Sequence, residues 1–227
     1  SSHRTRPTDP GGNPMTPATS SLPKAHQTMI LAHRAMLTDL DRIARTAAGL
    51  AERPDAERTR HLKAYAARIT ELIEHHHQGE DDILWPVLKE RGAEPAALEL
   101  LEEEHHALEE RMAELSTAIG NLAPDGSGAH ALEKAARATH DLLRVHTADE
   151  ERELIGRLAP ALDARLWKRF ERGMVKSAGK WTLSFMPPWL SSVATDAERS
   201  GVPAPPVAWL MRGRLDRQQE AAFGSHR

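Results

Sequence analysis

Four times in this chain a glutamate follows a histidine by four residues: His76/Glu80, His105/Glu109, His106/Glu110 and His146/Glu150. On a helix that spacing stacks the two side chains one turn apart on one face. Imidazole and carboxylate presented together can move protons, pair ionically or hold a metal ion. One such pair alone separates none of these, because it is also an ordinary helix-face contact. What decides is whether the pairs lie on inward-facing stripes and at a common level. The densest stretch, HHHQGEDDILWP over residues 75–86, runs directly into the apolar Ile83, Leu84 and Trp85.

The elements that must position these residues are helical. From Leu22 to about Leu162 no run alternates with period two, so no sheet is expected. Apolar residues recur at the helical period over roughly 22–50, 57–85, 95–121 and 129–158, separated by the breaks AERPDA, KERGAE and NLAPDGSG. Short connections between long helices make neighbours antiparallel, so the fold class is all-α, an up-down-up-down four-helix bundle. Residues 1–21 are rich in Ser, Thr, Pro and Gly and read as a disordered tail in which Met15 is a candidate natural start. Residues 163–227 hold four of the five tryptophans and the segments FMPPWL and GVPAPPVAW. They read as a helical, Trp/Pro-rich C-terminal extension on the bundle 22–162, or a small second unit, with helices around 163–176 and 206–223. That much aromatic area is expected to cover the bundle or to form a subunit contact, in a monomer or a homodimer.

Steps of three and four along each helix place histidines on the core face. Helix one reads His26, Ile30, His33, Leu37, Leu40, and helix two Leu62, Tyr65, Ile69, Leu72, His76, Glu80, Ile83, Val87. Helix three reads Leu98, Leu101, His105, Leu108, Met112, Leu115, and helix four Leu132, Thr139, Leu143, His146, Glu150, Leu154. A buried carboxylate without a partner costs several kcal/mol or is forced neutral. Two of them, with no Lys or Arg on the stripes, call for a metal ion. Depth agrees: at 1.5 Å per residue, His33 and His76 both lie about 25–29 Å from the loop joining their helices, and His105 and His146 match their neighbours similarly. His106 and Glu110 sit one residue off the stripe and read as a solvated face.

Composition narrows the metal. The chain has 227 residues, no cysteine and 13 histidines, so thiolate zinc sites and iron–sulfur clusters are excluded and any metal is held by imidazole and carboxylate. A net charge of −3 gives no reason to expect nucleic acid or an anionic membrane as partner. No apolar run approaches the ~18 residues of a membrane span, and no signal-peptide pattern is present, so a cytoplasmic protein is expected.

The segments MILAHRAML, HHHQGEDDILWPVL, EEEHHALEERM and VHTADEERELI, in that order, resemble the four helices of hemerythrin-like (HHE cation-binding) domains. The likeness covers residues 22–160, and the whole chain with its extension is similar to the actinobacterial branch of these proteins. The resemblance implies two non-haem iron ions, oxo- or hydroxo-bridged, with His33, His76, Glu80, His105, His146 and Glu150 as ligands and both glutamates bridging. Oxygen-carrying invertebrate hemerythrins place a histidine one turn after the third-helix ligand, where this chain has Glu109, and space their last pair His-x-x-x-x-Asp. The pattern is closer to hemerythrin-like domains associated with iron and oxygen sensing. Ferritin-like sites use Glu-x-x-His on their inward faces, and these stripes carry none.

For the remaining coordination position the sequence offers Glu109 and His77. Successive helical residues turn by about 100°, so His77 must swing round the helix while Glu109 need not, and Glu109 is the expected extra ligand. A carboxylate there would harden the centre and favour the ferric state. His26 is a candidate for orienting the imidazoles, and Tyr65 for packing near them. Two functions fit such a centre: binding or sensing of O₂, NO or iron itself, or an enzyme decomposing peroxide or reducing NO. An apo bundle used for protein interaction is the third.

Overall fold

The computed structural model describes residues 21–225, and every regular element among them is helical. Apart from Ser21, the tail expected over 1–21 lies outside the described residues. The elements are α1 (Lys24–Glu52), α2 (Ala56–Gly79), a π-helical turn (Glu80–Leu84), α3 (Trp85–Glu90), α4 (Pro95–Asn121), α5 (Ala129–Ile155), α6 (Ala164–Ser177), α7 (Thr182–Ser191) and α8 (Pro205–Phe223). Local signals set several boundaries. The Asp55 carboxylate accepts from the Arg58 N–H at the start of α2, and Asp163 accepts from Leu166 at the start of α6. Gly92 (φ 71°) and Gly128 (φ 81°) take left-handed conformations in the turns before α4 and α5. No described helix is long and apolar enough to cross a membrane.

The long helices close a ring of contacts: α1 packs on α2 and α5, and α4 packs on the same two. Inside it lie two apolar clusters. One contains Met36, Leu40, Ile69, Ile73, Leu108 and Leu143; the other contains Met29, Leu84, Leu101, Leu154 and Trp167. Each long helix crosses from one cluster to the other within a turn of its site histidine. Along α1 the second cluster comes first (Met29, His33, Met36), along α2 the first (Ile73, His76, Leu84), along α4 the second (Leu101, His105, Leu108), and along α5 the first (Leu143, His146, Leu154). The polar layer is a cross-section of the core, sealed above and below by hydrocarbon.

Two helical expectations changed in detail. The helix expected over 57–85 continues to Glu90, carried past Pro86 by the π turn, in which the Trp85 N–H reaches the Glu80 carbonyl. Proline supplies no N–H and its ring crowds the preceding turn; a wide turn just upstream absorbs that conflict. The extra residue also rotates the buried face, so Leu84 rather than Ile83 becomes fully buried and Ile83 turns toward α6. On α1, likewise, Met29, Ala32 and Met36 are buried while Ile30 and Leu37 are half-buried.

The extension forms three helices, and α7 is the one that periodicity missed. Pro187 and Pro188 interrupt its hydrogen-bond ladder, yet they are buried together with Phe185, Trp189 and Leu190, and that apolar burial offsets the lost bonds. α8 packs on α2 and α7, and α6 on α2 and the π turn. α6 comes so close that a Cβ at Gly79 would collide with Met174, and one at Gly173 with Ile83. Trp167 and Trp189 are buried and Trp181 is half-buried, whereas Trp209 is 82% exposed on the outer face of α8.

Polar ties fix the extension to the bundle. Asp39 of α1, 1% exposed, accepts from the Tyr65 hydroxyl at 2.7 Å, from Trp189 Nε1 at 2.8 Å and from Arg42 at 3.1 Å. Burial raises its carboxyl pKa while these donors lower it. Tyr65 is thereby occupied, also accepting from Gln219 of α8, and it belongs to this network. Arg34 binds both Glu198 oxygens, at 2.6 and 2.8 Å. That bidentate pairing first, and the Thr195 N–H with it, holds the Glu198 carboxyl down at about 2.

Trp189→Phe removes one donor to a buried charge while keeping most of the ring. It should destabilise the chain by about 1.5–3 kcal/mol, the scale of a hydrogen bond to a charged group, measured by urea unfolding. The Arg34–Glu198 pair gives a pH dependence. Its folded carboxyl titrates near 2 and an ordinary one near 4.5, so the contribution is complete above pH 4.5 and is lost as pH falls from there toward 2. Between those limits, the parent's urea midpoint should fall more steeply than that of Arg34→Gln; parallel curves would remove the pair from the account.

Candidate metal centre

His33, His76, His105 and His146 each turn Nε2 into the middle of the ring. His33 and His76 face each other there with their Nε2 atoms 3.0 Å apart, and His105 and His146 with theirs 3.1 Å apart. Two fully buried carboxylates span these pairs. Glu80 puts Oε1 2.9 Å from His76 Nε2 and Oε2 3.4 Å from His105 Nε2. Glu150 Oε2 lies 3.3 Å from His33 Nε2 and 3.7 Å from His146 Nε2. None of the four carboxylate oxygens has a hydrogen-bond partner.

His77 completes the set. Its Nδ1 donates to the Ile73 carbonyl at 2.9 Å, leaving Nε2 free, buried and without a partner. Two groups of four donors result, each mutually within 4.8 Å: His77, Glu80, His105 and His146, and His33, His76, Glu80 and Glu150. Glu80 belongs to both. Adjacent histidines serve one core layer because His77 looks toward α4 and α5 while His76 looks toward α1; their rings stand 80° apart.

A surrounding set of acceptors orients the rings. His33 Nδ1 lies 2.9 Å from Glu151, His105 Nδ1 2.8 Å from Asp81 and His146 Nδ1 2.9 Å from Glu104. Such contacts fix which nitrogen carries the proton and aim the other inward. Burial alone would lower His33 and His105, but the glutamate charges and hydrogen bonds around them prevail and hold both up at about 10. His146, lowered by burial and by the neighbouring imidazoles, falls to about 4, and burial also depresses His77. Burial would raise Glu80, but His76 and His105 keep it well below the usual carboxylate range.

The donor set fits a metal ion. Five imidazoles and two carboxylates converge, and the carboxylate oxygens and His77 Nε2 lack the hydrogen-bond partners that buried polar atoms otherwise have. Imidazole with carboxylate suits iron, manganese or zinc. A metal ion takes imidazole in its deprotonated form, so binding here would release protons and strengthen as pH rises.

Six of the seven ligand candidates, His33, His76, Glu80, His105, His146 and Glu150, are brought together here. The seventh, Glu109, is not: its side chain is exposed and lies 3.5 Å from His106 on the surface of α4. His77 takes the place expected for it, and the expectation of a harder, ferric-favouring centre loses its basis. The 100° step that counted against His77 turns it toward a different pair of neighbouring helices. His26 orients no ligand either; it stacks on Trp167 with centroids 5.1 Å apart, and burial lowers it to about 4. Apolar stripes do not pick out Asp81, Glu104 and Glu151, although each directly adjoins a ligand candidate in sequence and accepts from a histidine of another helix.

Comparison with known proteins gives one family: the hemerythrin HHE cation binding domain matches residues 25–158. No curated protein and no solved structure matches the chain.

His77 and Glu109 can be told apart by metal retention. His77→Ala should weaken it by more than the roughly 10- to 100-fold that loss of an outer partner costs, measured by competition with a chelator. Glu109→Ala should retain metal like the parent. The opposite ranking would return the extra position to α4.

Proposed function

We propose, starting from a chain that belongs to the hemerythrin HHE cation-binding domain family, that it is a non-haem di-iron protein that binds or senses O₂ or NO. The observation that carries this reading is the sharing of Glu80 between two four-donor groups, the arrangement two adjacent ions require. His77, His105 and His146 would hold one ion, and His33 and His76 the other, with Glu80 and Glu150 between them. The opposite order of the two apolar clusters along successive long helices supports the antiparallel up-down-up-down bundle in which such a layer forms.

Two iron ions held there would supply ferrous–ferric exchange and a coordination position for a small ligand. The chain's own residues bind, orient and exclude water. Glu151, Asp81 and Glu104 hold the ring Nδ1 atoms of three ligands, so the donors are arranged before any ligand arrives. Trp85, 1% exposed, leans over His105 with centroids 5.9 Å apart, and Leu108 and Met112 add apolar wall. No side chain in the layer is a conventional nucleophile: the chain has no cysteine, and its single tyrosine is engaged with Asp39. Hydrolysis and group transfer are therefore unsupported, and reversible capture of a diatomic ligand is the economical use of these residues.

An optical titration of the reduced, iron-loaded protein with O₂, NO and peroxide tests the proposal. A reversible change with O₂ or NO, slow autoxidation and loss of the response in His76→Ala are expected. Sustained oxygen evolution from peroxide over many turnovers would put an enzyme in place of a sensor.

A further inference from the structure

A cleft of about 350 Å³ opens between α2 and α4 and reaches the polar layer from one side. Its floor is His77, His105, Leu108 and Met112, all buried; its rim includes Glu74, Asp81 and Glu109. No lysine or arginine lines it. Three carboxylates thus surround an opening whose floor includes His77, the residue whose Nε2 is buried behind it without a hydrogen-bond partner. Glu74 and Glu109 have no structural work comparable to that of the orienting acids: Glu74 is exposed, and Glu109 only approaches the exposed His106. Asp81 stands between rim and floor, 2.8 Å from His105 Nδ1.

We infer that this cleft is the route by which a divalent cation reaches the centre, with Glu74 and Glu109 as the outer carboxylates that attract it and His77 as the first imidazole it meets. The inference rests on the metal-centre reading above. Its physical basis is that a cleft lined by one sign of charge, with low-dielectric walls, focuses the field and raises the local concentration of the opposite ion. A cation must shed its water in stages, and hard oxygen donors at the rim followed by imidazole on the floor provide that sequence. Neutral O₂ or NO would gain nothing from the rim charges, so the acidic lining points to the ion. Glu109, out of reach of the donor set, acquires a role in filling it.

The test is the rate of ferrous uptake by the metal-free full chain, mixed anaerobically with ferrous sulfate and followed by the loss of iron available to a fast chelator. Glu74→Gln with Glu109→Gln should slow uptake by roughly three- to tenfold at low ionic strength, toward the low end of electrostatic steering. The difference should shrink in high salt, where a Debye length of about 3 Å at 1 M screens the rim. The final iron content should stay that of the parent. Glu57→Gln with Glu99→Gln removes the same charge from exposed positions elsewhere and should leave the rate unchanged. Ala113→Trp, at an exposed rim position, should slow uptake at every salt concentration by narrowing the opening. Equal rates in the parent and the rim variant, or equal slowing in the control, would overturn the route. A parent chain that takes up no iron would instead overturn the metal-centre reading beneath it.

Discussion

Two carboxylates sit out of contact with solvent at the centre of this protein, and most of its other features answer to that. Glu80 and Glu150 are both fully buried, and an uncompensated charge in such a place costs several kcal/mol. The compensation comes as imidazoles from all four long helices. Each helix must therefore bring its contribution to the same level, and the apolar clusters on either side hold that level fixed. The layer marks the register of the bundle as well as its chemistry, because sliding one helix by a turn would bury a histidine among leucines and leave a carboxylate facing hydrocarbon.

The π turn at Glu80–Leu84 shows how tightly site and backbone are linked. It begins at the shared carboxylate and ends one residue before Trp85, which leans over His105. By widening the helix there it lets His76, His77 and Glu80 face the layer while Leu84 and Trp85 return to the core and Pro86 is accommodated. Asp81 lies inside the same turn and reaches His105 on α4. One irregular turn thus supplies the shared carboxylate, an orienting acceptor and part of the cleft rim.

The C-terminal helices bear on the site indirectly. α6 closes against the π turn through the glycine contacts at Gly79 and Gly173, and Trp167 covers the His26 end of α1. α7 and α8 cover the side of α1 and α2 where Asp39 and Tyr65 lie, converting what would be an exposed apolar face into core. They steady the helices that carry His33, His76 and His77 and place no donor in the layer.

The sequence alone determined the all-helical class, the breaks between the long helices, and the inward face and common depth of six donors, because helical periodicity is local and depth along a helix is a matter of counting. It could not rank His77 against Glu109. Counting treats each helix as facing one direction, whereas a helix inside a ring has two inward neighbours, and His77 serves the second of them. It also could not expose the π turn, whose cause is the conflict between Pro86 and the packing of Leu84 and Trp85, or α7, whose prolines argue for a loop until burial outweighs them. The contacts of Asp39 with Tyr65 and Trp189, and the pairing of each orienting carboxylate with a histidine on another helix, join residues 24 to 150 positions apart. Only the tertiary structure decides such pairings, because what selects them is the shortage of other partners once water has been excluded.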